Sequence, residues 1–444
     1  MRADLGFADL TSYTQYRYDN SPYYGDLDVT TLPLFGINVV PTDRTFSQEF
    51  LFNSKAGGNL QWAAGVNYFQ IRDTWDVFST LTAAPPAVYG AFGGSSTMTK
   101  SIAAYADLTY EITPSLFITA GARYSHDEVT DAYFKTNAFT PFTGYEGANG
   151  TTVFPPAGTL DGTKIPVAPL KNDSVTPRFV IRFKPDHDSS IYASFTRGYK
   201  AGILNVGGQS LVPVKPETIN AFEVGYKYDN RVFSFEAAGY YYDYSNLQVS
   251  SFQNGAAQIR NAASSEIYGA EASAHYRVSS AFQLNAGVSY THARYKSFTN
   301  APYYSYCDPS AAAGPMAFTS GVGSLTQTTV NASGFQMQRA PEFTANAGAS
   351  YAFDAFTGRL TLSGNAYYTS SFYFDPSQQF KQNGYEQVSL RAQWVDPSKK
   401  YTVAVFGDNV TNRRYQTQGL FNTLGIGATW NSPAVWGVSL GAKF

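Results

Sequence analysis

The sequence predicts an all-β protein: an antiparallel up-and-down transmembrane β-barrel of about sixteen strands, occupying 1–444 as one domain. Three observations carry this. Segment after segment alternates apolar and polar residues with a period of two, which puts one apolar and one polar face on a strand. The connections between segments alternate strictly between short and long. The composition combines 16% aromatic residues with 14% charged ones, where a soluble domain carries about 25% charged. No stretch approaches the ~18 consecutive apolar residues of a spanning helix.

Taken in order, the strands are expected near 7–18, 45–55, 60–77, 99–113, 116–135, 174–186, 189–201, 218–229, 231–249, 258–278, 281–297, 341–353, 358–374, 384–396, 400–416 and 433–444. The alternation is plainest in three of them. Leu116, Ile118, Ala120, Ala122 and Tyr124 alternate with Phe117, Thr119, Gly121, Arg123 and Ser125. Phe282, Leu284, Ala286, Val288 and Tyr290 alternate with Gln283, Asn285, Gly287, Ser289 and Thr291. Leu360, Leu362, Gly364, Ala366 and Tyr368 alternate with Thr361, Ser363, Asn365 and Tyr367. Several segments exceed the roughly 5–6 residues of a globular strand and reach the about 9–11 tilted residues that cross a bilayer.

Seven connections are short, among them Ala56-Gly57-Gly58-Asn59, Thr113-Pro114-Ser115 and Asp396-Pro397-Ser398-Lys399, and most hold the turn residues Gly, Pro, Asn or Asp. Eight are longer, the longest being 19–44, 136–173 and 298–340. An outer-membrane barrel has short turns on the periplasmic side and long loops outside. A soluble all-β protein has no reason to alternate this way, and its apolar faces would need a second packing layer. Aromatic groups near strand ends, such as Tyr240-Tyr241-Tyr242 and Tyr367-Tyr368, fit girdles at the two membrane interfaces.

In the last strand Trp436, Val438, Leu440 and Ala442 share a face and the chain ends on Phe444. A terminal alternating strand closed by Phe resembles the signal read by the outer-membrane barrel assembly machinery. At the other end, Met1-Arg2-Ala3-Asp4 runs directly into a strand-like segment without a signal-peptide pattern. Either the chain is not exported or its true beginning lies upstream.

Net charge −2, from 31 basic against 33 acidic residues, argues against a nucleic-acid partner. The single cysteine, Cys307, cannot form an intramolecular disulfide, and no C-x-x-C metal site exists. No metal, cofactor or catalytic residue is expected. His126-Asp127-Glu128 sits where a strand leaves the membrane, and consecutive strand residues point to opposite faces. His187 falls in a short turn, and His275 and His292 are read as lumen residues. Ser289 and His292, three apart, face opposite sides of one strand, so no barrel-enzyme constellation emerges.

Loop aromatics are the ligand-binding candidates: Tyr23 and Tyr24 with Asp26 and Asp28; Tyr145 with Glu146; and Tyr303, Tyr304 and Tyr306 with Cys307 and Asp308. Aromatics with acidic neighbours suit an aromatic or cationic ligand. No basic cluster is visible, which disfavours a polyanionic chelate.

A set of ordered motifs resembles the barrel of TonB-dependent outer-membrane receptors. Thr45-Phe46-Ser47-Gln48-Glu49-Phe50, followed by the segment from Leu60-Gln61-Trp62 to Tyr68-Phe69, is similar to a hairpin of that family. So are Tyr192-Ala193-Ser194 leading to Gly198-Tyr199-Lys200-Ala201-Gly202, Lys215-Pro216-Glu217-Thr218, and Phe222-Glu223-Val224-Gly225-Tyr226-Lys227. Asp408-Asn409-Val410-Thr411-Asn412, running on to Tyr415, and Gly437 to Phe444 complete the set. Residue by residue these read first as structural. Glu217 and Glu223 are expected to pair with Lys215 and Lys227; Gly198, Gly202 and Gly225 to permit close backbone approach; Asn409 and Asn412 to hydrogen-bond backbone at a strand bend.

The resemblance implies an outer-membrane receptor that imports a scarce nutrient, most often a ferric siderophore, with membrane lipid and the barrel assembly machinery as partners. Full receptors have about 22 strands and a plug in the lumen. Here sixteen strands are read and no TonB box or plug, so contact with the TonB complex would run through a plug missing from these residues. A passive porin-like pore or a non-functional receptor fragment is the alternative, and an outer-membrane barrel enzyme a third reading.

Overall fold

The computed structural model describes residues 1–26, 35–84, 87–135, 145–153, 162–253, 256–261, 264–306, 325–422 and 425–443. All sixteen expected strands are present. They are β1 Ala8–Asn20, β2 Phe35–Ser54, β3 Leu60–Ala84, β4 Ala87–Thr113, β5 Leu116–Lys135, β6 Leu170–Phe183, β7 Ser189–Lys200 and β8 Glu217–Asp229. The second half comprises β9 Phe233–Ser245, β10 Ser264–Arg277, β11 Phe282–Ser297, β12 Phe343–Ala355, β13 Gly358–Thr369, β14 Tyr385–Val395, β15 Tyr401–Asp408 and β16 Val435–Ala442. Each pairs antiparallel with the next in chain order.

Three short pieces extend the sheet: Arg2–Asp4 on β1, Tyr23–Asp26 on β2 and Lys164–Val167 on β5. Among the described residues Arg2–Asp4 and β16 each have one ladder partner and form the two edges.

Ladder partners share a face, so the register sorts the whole wall. One rung runs Phe179, Phe195, Phe222, Tyr241, Tyr268 and His292 across β6 to β11. Ring centroids along it lie 6.5 Å apart for Phe179 and Phe195, 5.0 Å for Phe195 and Phe222, and 4.5 Å for Tyr268 and His292. The rung climbs the wall, from four residues above the turn end of β6 at Phe179 to ten above that of β11 at His292, and its upper members form an aromatic girdle on the loop side. A second forms on the turn side, where Phe233 meets Tyr276 at 6.1 Å and Phe282 meets Tyr351 at 6.2 Å. Between them the same face exposes Val224, Val288, Leu362, Leu390, Val405, Val438 and Leu440. An apolar band between aromatic girdles is the lipid face.

The register corrects two expectations. His292 stacks on Tyr268 in the outer girdle; only His275 is on the lumen face. Of the three consecutive tyrosines only Tyr241 joins the girdle. Tyr240 and Tyr242 turn inward and stack on each other at 4.9 Å.

Strand ends differ from expectation for local reasons. Residues 78–98, expected as a loop, are largely strand, because the β3–β4 ladder continues to Ala84 opposite Ala87. β15 stops at Asp408, not near 416, because Asn409 and Asn412 are left-handed, each with φ 51°. β9 stops at Ser245 before left-handed Asn246, and Gln248–Gln253 pairs instead with Ala256–Asn261 as a separate hairpin.

Candidate ligand site at the mouth of the barrel

The lumen face of β2 to β11 is built from tyrosines laid across glycines of the adjacent strand. Tyr192 is opposite Gly225, and a Cβ on that glycine would lie 2.5 Å from the ring. The Tyr192 hydroxyl then donates to Glu223 at 2.6 Å. Tyr105 covers Gly65 and donates to Glu49 at 2.8 Å. Tyr240 covers Gly269, with its hydroxyl 2.8 Å from that of Thr291. Gly225 therefore serves close approach, as do Gly198 against Ile219 and Gly202, where an added Cβ would lie 2.6 Å from the Val214 carbonyl oxygen.

The expected pairing of Glu217 and Glu223 with Lys215 and Lys227 does not form. Glu217 accepts from the Gln248 amide at 2.8 Å, Glu223 from Tyr192, and Lys227 reaches Glu236 at 3.3 Å. Glu223 takes its donor from the neighbouring strand β7, and Glu217 from the loop hairpin that follows β9. Two open grooves lie on this wall. One of about 450 Å³ is lined by Tyr192, Glu223, Lys227, Glu236 and Glu271. The other, of about 530 Å³, is lined by His275, Asn285, Asn365, Arg391 and Asp408.

At the loop end three small apolar clusters fold the connections against the wall. Val129 and Phe134 of β5 pack with Val167, Leu204 and Val206. Val249, Tyr295, Phe298, Ala301 and Ala332 make a second cluster, and Tyr304 with Phe374 a third, flanked by Phe372 and Phe380. Asn409 closes the β15 end as expected. Its amide donates to the Arg413 and Ser432 carbonyls at 3.0 and 3.1 Å and accepts from the Arg413 amide at 2.9 Å; Asn412 accepts from the Ala434 amide at 3.1 Å.

The third cluster is the centre of a rim that joins three connections. Gln379 bonds both backbone groups of Tyr304, at 2.8 and 2.7 Å. The Asp375 carboxylate is fully used inside its own loop, accepting from Ser377 Oγ at 2.6 Å and from the Gln379 and Phe380 amides at 3.1 and 2.8 Å. The Gln416 amide donates to Gln382 at 2.8 Å, and Tyr415 stacks on Tyr385 with centroids 3.8 Å apart and planes 6° off parallel.

Three cations lie on this rim over aromatic faces. Arg339 is 5.2 Å from the Phe374 centroid, Lys381 5.7 Å from Tyr373 and Arg414 5.8 Å from Trp430. Among the described residues none has a carboxylate partner, whereas Arg413 reaches Glu386 at 3.7 Å. Each stands over its own ring, and the three come from three separate connections of the chain. No local signal marks them in advance.

The sequence candidates divide. Tyr304 is buried in the rim at 8% exposure, and burial, followed by the nearby Asp375 charge, pushes its hydroxyl up to about 12. Tyr303, beside it, is 38% exposed. Tyr23 and Tyr24 are exposed on a different hairpin, the piece paired with β2. Tyr145 has strand backbone opposite Val153; the side chains of Tyr145 and Tyr306, and Cys307, Asp308 and Phe444, lie outside the described residues. His126 points outward and hydrogen-bonds Asp173 at 2.8 Å, while Asp127 is buried on the inner face. Among the described residues no group of His, Cys, Asp and Glu could hold a metal.

The fold recurs in known proteins. A family model described as TonB dependent receptor-like, beta-barrel matches residues 2–410. The pesticin receptors of Yersinia enterocolitica and Yersinia pestis are each 22% identical over 332 residues, 73% of this chain and 41% of theirs. The ferric yersiniabactin uptake receptor of Yersinia pestis superposes with a TM-score of 0.78 at 17% identity, over 100% of this chain and 60% of that one. The siderophore receptor PiuA of Acinetobacter baumannii gives 0.71 at 17% identity, over 100% and 63%. The chain thus spans between 41% and 63% of the length of these relatives. With its antiparallel meander of sixteen strands and a family model that matches residues 2–410, the chain belongs to the TonB-dependent receptor-like β-barrel family.

Proposed function

We propose that these residues form the barrel wall of an outer-membrane receptor that imports a ferric siderophore, and that the ligand is an anionic chelate with aromatic groups. The observation that carries the ligand class is the rim, where Arg339, Lys381 and Arg414 stand over Phe374, Tyr373 and Trp430 without carboxylate partners among the described residues. Cations supply charge for the chelate and the Tyr385–Tyr415 stack supplies an aromatic shelf. The relatives named for pesticin and siderophores support the uptake role.

The polar grooves of the lumen wall are suited to a plug, through which TonB would act, and the terminal strand to the barrel assembly machinery. A barrel enzyme finds no support: Ser289 faces the lumen and His292 the lipid. The test is uptake of radio-iron chelates by cells whose receptor carries these residues. Uptake of anionic aromatic chelates that requires TonB and falls roughly tenfold in Arg339→Ala/Lys381→Ala is the expected result. Ion conductance independent of TonB, with no saturable uptake, would establish the passive pore instead.

A further inference from the structure

The lipid face carries a cationic patch at its loop-side boundary on β2 to β4. Arg44 and Arg72 are directly opposite each other in the β2–β3 ladder. Tyr18 flanks Arg44 in the same rung, its ring 5.8 Å from the guanidinium. One outward step toward the turns, Lys100 stands in the rung of Phe46 and Gln70. A further step down come Tyr68 and exposed Ile102, the top of the apolar band. The patch therefore sits where lipid headgroups meet the wall.

Like charges directly opposite on a sheet are destabilising, and acids do not balance this pair. Arg72 has Asp131 at 2.9 Å. Arg44 has no carboxylate partner among the described residues. Glu128, opposite Lys100, is engaged by Lys171 at 3.1 Å. Four cations, Arg44, Arg72, Lys100 and Lys171, thus share two carboxylates, in a chain whose net charge is −2. The far wall differs. There Lys296 is bracketed by Asp243 at 2.9 Å and Glu266 at 3.7 Å, and Arg294 is paired with Glu342.

We propose that Arg44, Arg72 and Lys100 bind the phosphate of an anionic lipid headgroup in the outer leaflet. Two guanidinium forks present parallel donors to phosphate oxygens, and the ammonium adds a point charge. A basic cluster at the polar boundary of a membrane segment is suited to such headgroups.

The test compares binding of diphosphorylated lipid A and the same lipid dephosphorylated, by native mass spectrometry of the intact receptor in a zwitterionic detergent. Folding of each variant is confirmed by heat-modifiable migration. The wild type is expected to retain the phosphorylated lipid, and Arg44→Ala/Arg72→Ala to lose roughly tenfold in affinity, with Lys296→Ala on the far wall unchanged. Should the double variant not fold, Lys100→Gln is expected to weaken binding by a smaller factor. Equal retention of the dephosphorylated lipid, undiminished binding in the folded variants, or displacement by inorganic phosphate alone would overturn the assignment.

Discussion

Tyr192 lies across Gly225 and donates its hydroxyl to Glu223, two residues earlier on the same strand. The glycine makes room for the ring, and the ring covers backbone that would otherwise face water in the lumen. Tyr105 of β4 covers Gly65 of β3 in the same way, its hydroxyl reaching one strand further to Glu49 of β2. Gly225→Ala is expected to destabilise the folded barrel by about 1–3 kcal/mol through overpacking, measured by urea unfolding in liposomes. In a Tyr192→Ala background the same change is expected to cost little. An unchanged penalty there would show that the glycine serves something other than the ring.

Phe374 is the hub of the rim, touching Phe372 and Phe380 at ring distances of 5.3 Å and packing on Tyr304. Phe374→Ala is expected to cost about 3 kcal/mol locally while leaving barrel migration unaltered. Limited proteolysis should then cut within 370–382 faster than in the wild type. Equal cutting rates would mean that the loops hold without the cluster.

Asn409 is buried at 3% exposure in a left-handed conformation and makes three backbone hydrogen bonds. Asn409→Ala is expected to cost about 2–4 kcal/mol, from the lost bonds and the strained φ. Asn409→Gly keeps the backbone freedom and should be milder. Amide exchange across 409–434 reads the difference, and equal effects would make strain irrelevant there.

Asp396 organises the short β14–β15 turn. The Ser398 hydroxyl, then the Tyr401 amide at 2.7 Å, donate to its carboxylate and hold it below the ordinary range. A depressed folded pKa means the turn's contribution is complete above the unfolded value of about 3.9 and fades as pH falls through the folded one. Protection of the Tyr401 amide is expected to persist at about pH 5 and to be lost only as the pH falls below the unfolded value of about 3.9. In Asp396→Asn that acid dependence should vanish. Persistence of the dependence would assign it to another carboxylate.

Sequence alone determined the sixteen-strand meander, the alternation of its connections and the apolar outer face. These follow from a period of two and from turn residues, both local properties of the chain. That Ser289 and His292 oppose each other was legible from parity alone. Register was not, because a one-residue slip exchanges the faces of a strand. Hence the pairing with Tyr268, and not the local pattern, puts His292 in the girdle. The partners of Glu217 and Glu223 were likewise chosen by neighbouring strands and loops, not by the lysines beside them in sequence. Only the tertiary structure brought Arg339, Lys381 and Arg414 to one rim and set Arg44 opposite Arg72. Loop packing and ladder register juxtapose residues whose separation along the chain carries no trace of the contact.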